Sequence, residues 1–243
     1  MSKFPVIEES VRTRMYISSL KYENSFTSVE LMYADSTFFG MFSFDLLSGN
    51  KNTCLDSPDK IVITESLARS IFQDEDPLGR MLSLEGEMKM VSAVACDPPV
   101  NSSLQFEALA PLSLLYGNNY IGWDGGLHCT TFLKLKQGAD IAQLEADMLG
   151  YMDEVFNNRA REHGFESLPE LQEMKKIHLF TDLDYDFIET GSISRVLTFS
   201  FTGFLILMVA CFNYVNINTA ISIRRTREVG IKKIYGSDRR GII

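Results

Sequence analysis

Residues 196–223 form a run of 28 side chains without a charge, bounded by Arg195 and Arg224. The run includes Leu197, Phe199, Phe201, Phe204, Leu205, Ile206, Leu207, Met208, Val209 and Phe212. A membrane span needs about 20 mostly apolar residues to cross ~30 Å of hydrocarbon. At ~1.5 Å per residue this run reaches ~42 Å as a helix. Core helices of globular domains are rarely so long and so free of charge, so the run reads as a transmembrane helix.

Charge divides the chain around that run. The 243 residues hold 32 Asp and Glu against 23 Lys and Arg, a net charge of −9. Residues 224–243 alone hold seven basic groups (Arg224, Arg225, Arg227, Lys232, Lys233, Arg239 and Arg240) against Glu228 and Asp238, or +5. The remainder is therefore at −14. So acidic a main part excludes a nucleic-acid binder. The excess of basic residues after the span places that side in the cytoplasm and the acidic part outside it. The N-terminus, MSKFPVIEES, has no apolar core of a signal peptide. A preceding membrane helix is therefore expected to carry the acidic part across, and the chain is expected to be a piece of a longer membrane protein.

Residues 1–195 alternate strand and helix signals. A short helix is expected to open at residues 5–11, with strands at 14–20 and 28–34. The aromatic stretch STFFGMF at 36–42 reads as a helical turn packed into the core. A short strand at 60–63 precedes a helix capped by Thr64, with Leu67, Ala68, Ile71 and Phe72 on one face. DEDPLG at 74–79 is a turn, and 81–84 with 88–96 reads as a hairpin around Glu85-Gly86-Glu87. Asp97-Pro98-Pro99 breaks the sheet. Further strands are expected at 105–112, 128–136 and 176–180. An amphipathic helix is expected at 140–157, and the glycine-rich 117–126 with Trp123 reads as a loop between lobes. This is an α+β chain.

Motifs of catalysis are missing. No P-loop, HExxH, CxxC or GxSxG pattern occurs. His128 and Cys129 are adjacent, but neighbours on a strand point to opposite faces, so they read as structural. The other histidines, His163 and His178, lie far from it in sequence. Cys54, Cys96 and Cys129 cannot all pair. Free buried thiols are the reading, with one bridge left open in an oxidising compartment. Asp182, Asp184, Asp186 and Glu189 read as a solvated stalk rather than a cation site. Asp74-Glu75-Asp76 lacks the spacing of a calcium loop. No metal site and no bound cofactor are expected.

Within the span, Asn213 and Asn216 are three residues apart and share a helix face. Polar groups in hydrocarbon usually meet a neighbouring helix, so this pair is read as helix–helix packing, with a substrate path as the other reading. Asn218 lies close enough to the boundary for interfacial solvation. Past the span, Ile231, Ile234 and Tyr235 form one stripe of a basic amphipathic helix, and Gly236 suits its C-terminal cap. Such a segment either lies on anionic lipid or docks onto a cytoplasmic partner.

RRTREVGIKKIYGSDRRGII after FLILMVACFNYVNINTAISI resembles the FtsX-like permease segment of MacB-type ABC transporters. Upstream, ADSTFFGMFSFDLLSGN, IVITESLARSIF, DEDPLGR and DPPVNSSLQFEAL resemble the periplasmic core domain of the same group, in the style of its Bacteroidetes members. The resemblance implies a two-lobed periplasmic domain at 1–191, porter-like and βαβ-built, with a β-rich lobe inserted at about 36–115. It implies a transmembrane helix at 192–223 and a cytoplasmic coupling segment at 224–243. Arg227, Glu228, Gly230, Lys232, Lys233, Gly236 and Arg239 would then touch a separate ABC ATPase, which holds the ATP. A second permease copy, a periplasmic adaptor and membrane lipid are the other implied partners, in a bacterial inner membrane. The chain itself would be non-catalytic, coupling ATP hydrolysis by its partner to periplasmic conformational change. The rival reading is a membrane-anchored sensor. That would need heptads after the span, and the Gly-Ser-Asp break at 236–238 disfavours them. An anchored hydrolase would need a base beside His128 or Cys129.

Overall fold

The structure, a computed structural model, describes residues 3–115, 129–164, 166–176 and 193–236. Two compact units divide the chain, Met1–Thr190 and Gly191–Ile243.

The first unit is built on an eight-stranded mixed sheet. Its strands are β1 (Ile7–Tyr22), β2 (Ser25–Ala34), β3 (Leu46–Gly49), β4 (Lys60–Thr64), β5 (Met81–Leu84), β6 (Glu87–Ala95), β7 (Ala108–Pro111) and β8 (Thr130–Leu135). β1 pairs with β2, β2 with β7, β7 with β4, β4 with β6, β6 with β5, and β5 with β1 again. Six strands therefore close into a ring. The β2–β7 and β4–β6 pairs are parallel, and the other four pairs of the ring are antiparallel. β8 extends the sheet along the first half of β1, and β3 along the end of β6. Residues 36–115 supply β3 to β7, and these hydrogen-bond to β1 and β2 within the one sheet.

Both faces of this sheet are buried. One core takes a residue from every strand of the ring, among them Leu20, Leu31, Ile63, Leu84, Val91 and Ala110. The helix α2 (Glu65–Phe72) packs Leu67, Ala68 and Phe72 into it. The second core lies on the opposite side, where Met32, Val62, Ala93 and Leu109 alternate in sequence with residues of the first. Such two-sided burial explains why residues 61–63 read as one unbroken apolar run. The turn of helix α1 (Phe38–Met41) anchors the second core through Phe38 and Phe39.

Local chemistry sets several boundaries as the sequence implies. Thr64 Oγ1 accepts from the Leu67 N–H at 3.4 Å and caps α2. Glu85 and Gly86 both take positive φ, closing the β5–β6 hairpin. Asp140 caps α3 (Ile141–Met152) through the Gln143 N–H. α3 continues as a π-helical turn, Asp153–Asn157, and then the short α4 (Asn158–Ala160). The helix expected at residues 5–11 does not form. Ile7 already opens β1, and residues 7–13 pair with β8. Pairing with a distant strand outweighs a weak local helix preference there. The strand expected at 105–112 shortens to Ala108–Pro111. At 176–180, Lys176 ends a helical turn whose N–H bonds the Glu173 carbonyl, and the rest lies outside the described residues.

Asp97, just past β6, supplies a second cap to α2. Its carboxylate accepts from the Ser66 N–H at 3.1 Å and the Ser66 hydroxyl at 2.7 Å. Burial alone would push this carboxyl up; the hydrogen bonds from Ser66 and Thr64 outweigh it and hold it below the usual carboxylate range. Replacing Asp97 with alanine is expected to cost about 1–2 kcal/mol at pH 7. Because the folded pKa lies below the unfolded one, this contribution is complete above ~3.9 and lost as pH falls through the folded value. Urea titrations of both forms at neutral and acid pH should show the difference shrinking in acid.

Candidate functional site

The second unit is the helix α5 (Ile193–Ile234), 42 residues without a break. At ~1.5 Å per residue it is ~63 Å long. It is long and apolar enough to cross a membrane, and none of its residues is buried in the protein. Fully folded against protein, a helix this apolar would hide one face. Here Phe199, Val209, Phe212 and Ile223 are all more than half exposed.

Five polar side chains of α5 bond to the helix's own backbone. The hydroxyls of Thr198, Thr202, Thr219 and Thr226 donate to carbonyls four residues earlier, at 2.8–2.9 Å. Asn218 Nδ2 donates to the Tyr214 carbonyl at 3.0 Å, which settles its group on its own helix. Asn213 and Asn216 make no such bond. Both carboxamides are exposed on α5. The sequence marks three costly asparagines, and the hydrogen bonds separate one from the other two.

The basic end is continuous with the span. Arg227, Glu228, Gly230, Lys232 and Lys233 all lie on α5, all exposed. Lys232 and Lys233 fall in the last turn, where cations complement the helix dipole. Gly236 has φ +79° and donates its N–H to the Lys233 carbonyl, which ends the helix as its position implies. Ile231, Ile234 and Tyr235 are exposed as one stripe, the last two by more than 80 %. Arg239 lies outside the described residues.

The alternative chemical candidates do not assemble. Cys129 leads into β8 and packs on the edge of the ring core, while His128 lies outside the described residues, as do His178, Asp182, Asp184, Asp186, Glu189 and the loop at 117–126. Cys54 is buried, its Sγ directed to the Lys51 carbonyl, and burial pushes its thiol up to about 11, far from a reactive thiolate. Cys54, Cys96, Cys129 and Cys211 are free thiols. In the 74–79 turn, Glu75 pairs with Arg80 at 2.8 Å and Asp76 accepts from the Leu78 N–H. Among the described residues no group of three or more His, Cys, Asp or Glu is placed to hold a metal.

The MacB-like periplasmic core domain family matches residues 1–151. The chain belongs to that family. A domain described as belonging to a permease protein of Porphyromonas gingivalis is 24% identical, with a TM-score of 0.57 over 63% of this chain and 72% of that one. The periplasmic region of MacB from Actinobacillus actinomycetemcomitans is 16% identical, with a TM-score of 0.49 over 68% and 80%. The extracellular domain of the noncanonic ABC-type transporter YknZ from Gram-positive bacteria is 15% identical, with a TM-score of 0.49 over 67% and 80%. No curated protein matches the chain. The family and α5 together support a component of an ABC-type permease, anchored in a membrane with an extracytoplasmic domain.

Proposed function

We propose that this chain is the mechanical part of an ABC-type permease, with residues 1–191 in the periplasm, 192–223 in the inner membrane and 224–243 in the cytoplasm. The observation that carries this reading is the single unbroken helix that joins the apolar run to the basic segment. α5 holds no proline to kink it, so a displacement at Lys232 and Lys233 would be carried along it towards Ile193. Arg227, Glu228, Gly230, Lys232, Lys233, Gly236 and Arg239 form the contact with a separate ABC ATPase, which binds the ATP; the chain itself binds no cofactor and catalyses nothing. Asn213 and Asn216 hold α5 to a neighbouring membrane helix. A second copy of the permease, lipid and a periplasmic adaptor complete the assembly.

The double substitution Lys232→Glu with Lys233→Glu tests the docking. Affinity purification of the tagged protein from solubilised native membranes, with the ABC ATPase quantified by mass spectrometry, should show most of the ATPase lost. Insertion into the membrane should be unchanged. Equal recovery of the ATPase would refute the assignment of this contact.

A further inference from the structure

Three thioethers share one outward patch of the β5–β6 hairpin. Met81 pairs with Met90, Leu82 with Lys89 and Ser83 with Met88. Leu82, Leu84 and Val91 turn into the ring core. Their strand neighbours Met81, Met88 and Met90 therefore turn to the opposite side of the sheet. Residues directly opposite on antiparallel strands stand about 5 Å apart at Cβ, and diagonal ones ~7–8 Å apart, within reach of long side chains. Met81 and Met90 are such a direct pair, and Met81 and Met88 such a diagonal. A methionine ordinarily fills gaps in a core, as Met15, Met32 and Met41 do in the second core. Among the described residues, Met81, Met88 and Met90 belong to neither core. Met81 is 43% exposed and Met88 53%.

The cationic groups next to the patch are engaged elsewhere. Lys60 neighbours Met90 on β4, and its Nζ donates to the Asp56 carboxylate at 2.7 Å and the Thr53 carbonyl at 2.8 Å. Lys21, beside Ser83 on β1, has its Nζ 5.2 Å from the centre of the Phe26 ring. Arg80 pairs with Glu75 at 2.8 Å. Lys89 is buried on the other face and donates to the Pro58 carbonyl and the Glu87 carboxylate. The patch itself offers neutral, polarizable sulfur. Thioethers are soft ligands that select Cu+ over the hard oxygen-seeking cations. We propose that Met81, Met88 and Met90 form a three-thioether site for a soft monovalent cation, Cu+ or its analogue Ag+. The strands fix where the three side chains start, since Glu85 and Gly86 lock the hairpin turn. Three rotatable bonds in each let the sulfur atoms converge on the ion. The ion is a ligand and not a cofactor of any reaction. The site lies wholly within the Met1–Thr190 unit and does not depend on the coupling role proposed above.

NMR of the full chain in detergent micelles tests this, with isotope-labelled methionine methyl groups and silver nitrate as the probe. Ag+ stands in for Cu+ because it is stable in air. The signals of Met81, Met88 and Met90 are assigned by replacing each singly with leucine, which nearly keeps the volume and therefore the fold. All three signals should shift along one binding curve. The free thiols Cys54, Cys96, Cys129 and Cys211 also take up Ag+, so total uptake is not the readout. The affinity read at Met88 and Met90 is. Met81→Leu should weaken it by at least about tenfold, the loss that even an outer-shell change brings. Binding at a thiol would leave that affinity untouched. Zn2+, which thiolates hold and thioethers do not, should move none of the three signals. Signals that stay in place with Ag+, that shift on separate curves, or that keep their affinity in Met81→Leu would overturn the site.

Discussion

Phe38→Ala is expected to remove about 3–5 kcal/mol from the folding stability of the Met1–Thr190 unit. Phe38 has no exposed surface and is the hub of an aromatic cluster. Its ring stacks on Phe44 at 5.6 Å, meets Phe39 and Phe106 edge-on at 5.3 and 5.9 Å, and lies 5.0 Å from Phe42. Phe42 in turn reaches Phe132 of β8 at 5.1 Å. Alanine would leave a void among rings that are rigid and fixed by their own backbones, so collapse around it is limited. Phe38→Leu keeps most of the volume and should lose much less. Denaturant titrations of the isolated unit would show the midpoint falling strongly for alanine and modestly for leucine. Equal effects would mean that the cluster is not packed as described.

Gly49→Ala is the second large effect. Gly49 ends β3 with φ +98°, opposite Ala93 of β6. A Cβ there would stand 2.4 Å from the Ala93 Cβ and 2.7 Å from the Ser92 carbonyl oxygen, closer than atoms approach. Backbone strain costs about 1–3 kcal/mol, and overpacking adds about 1–3 kcal/mol. Gly86 is the control. It has φ +92° in the β5–β6 turn, with nothing within 4 Å of an added Cβ. Gly86→Ala should show the strain alone. The gap between the two variants in thermal or chemical unfolding measures the clash, and its absence would place β3 away from β6.

Much of this was legible in the residues, where local chemistry decides. Thr64 announces α2, and the apolar positions at Leu67, Ala68 and Phe72 give its buried face. Glu85-Gly86 announces a hairpin, and the aromatic run around Phe38 announces a packed turn. β3 escaped, because four residues ending in a glycine carry little pattern. The opening of β1 was misread, since its partner β8 lies more than a hundred residues away in sequence. The ring is equally hidden. The parallel pairs β2–β7 and β4–β6 join segments with no shared local signal, and a strand buried on both faces shows no alternation. The long apolar helix with its basic end was legible too, because charge and helical period are properties of the sequence. What it could not show is which asparagine satisfies itself. Asn218 does so at Tyr214, while Asn213 and Asn216 do not.

β1 belongs to both the ring and the β8 edge. Its residues 7–13 hold β8, and its residues 13–22 hold β2 through ten paired positions. A pull on Ile7 along the strand would have to slide all ten pairings at once instead of peeling them one by one. Tension entering this end of the domain therefore meets a shear joint. Such a joint resists stretching far better than it resists sideways opening.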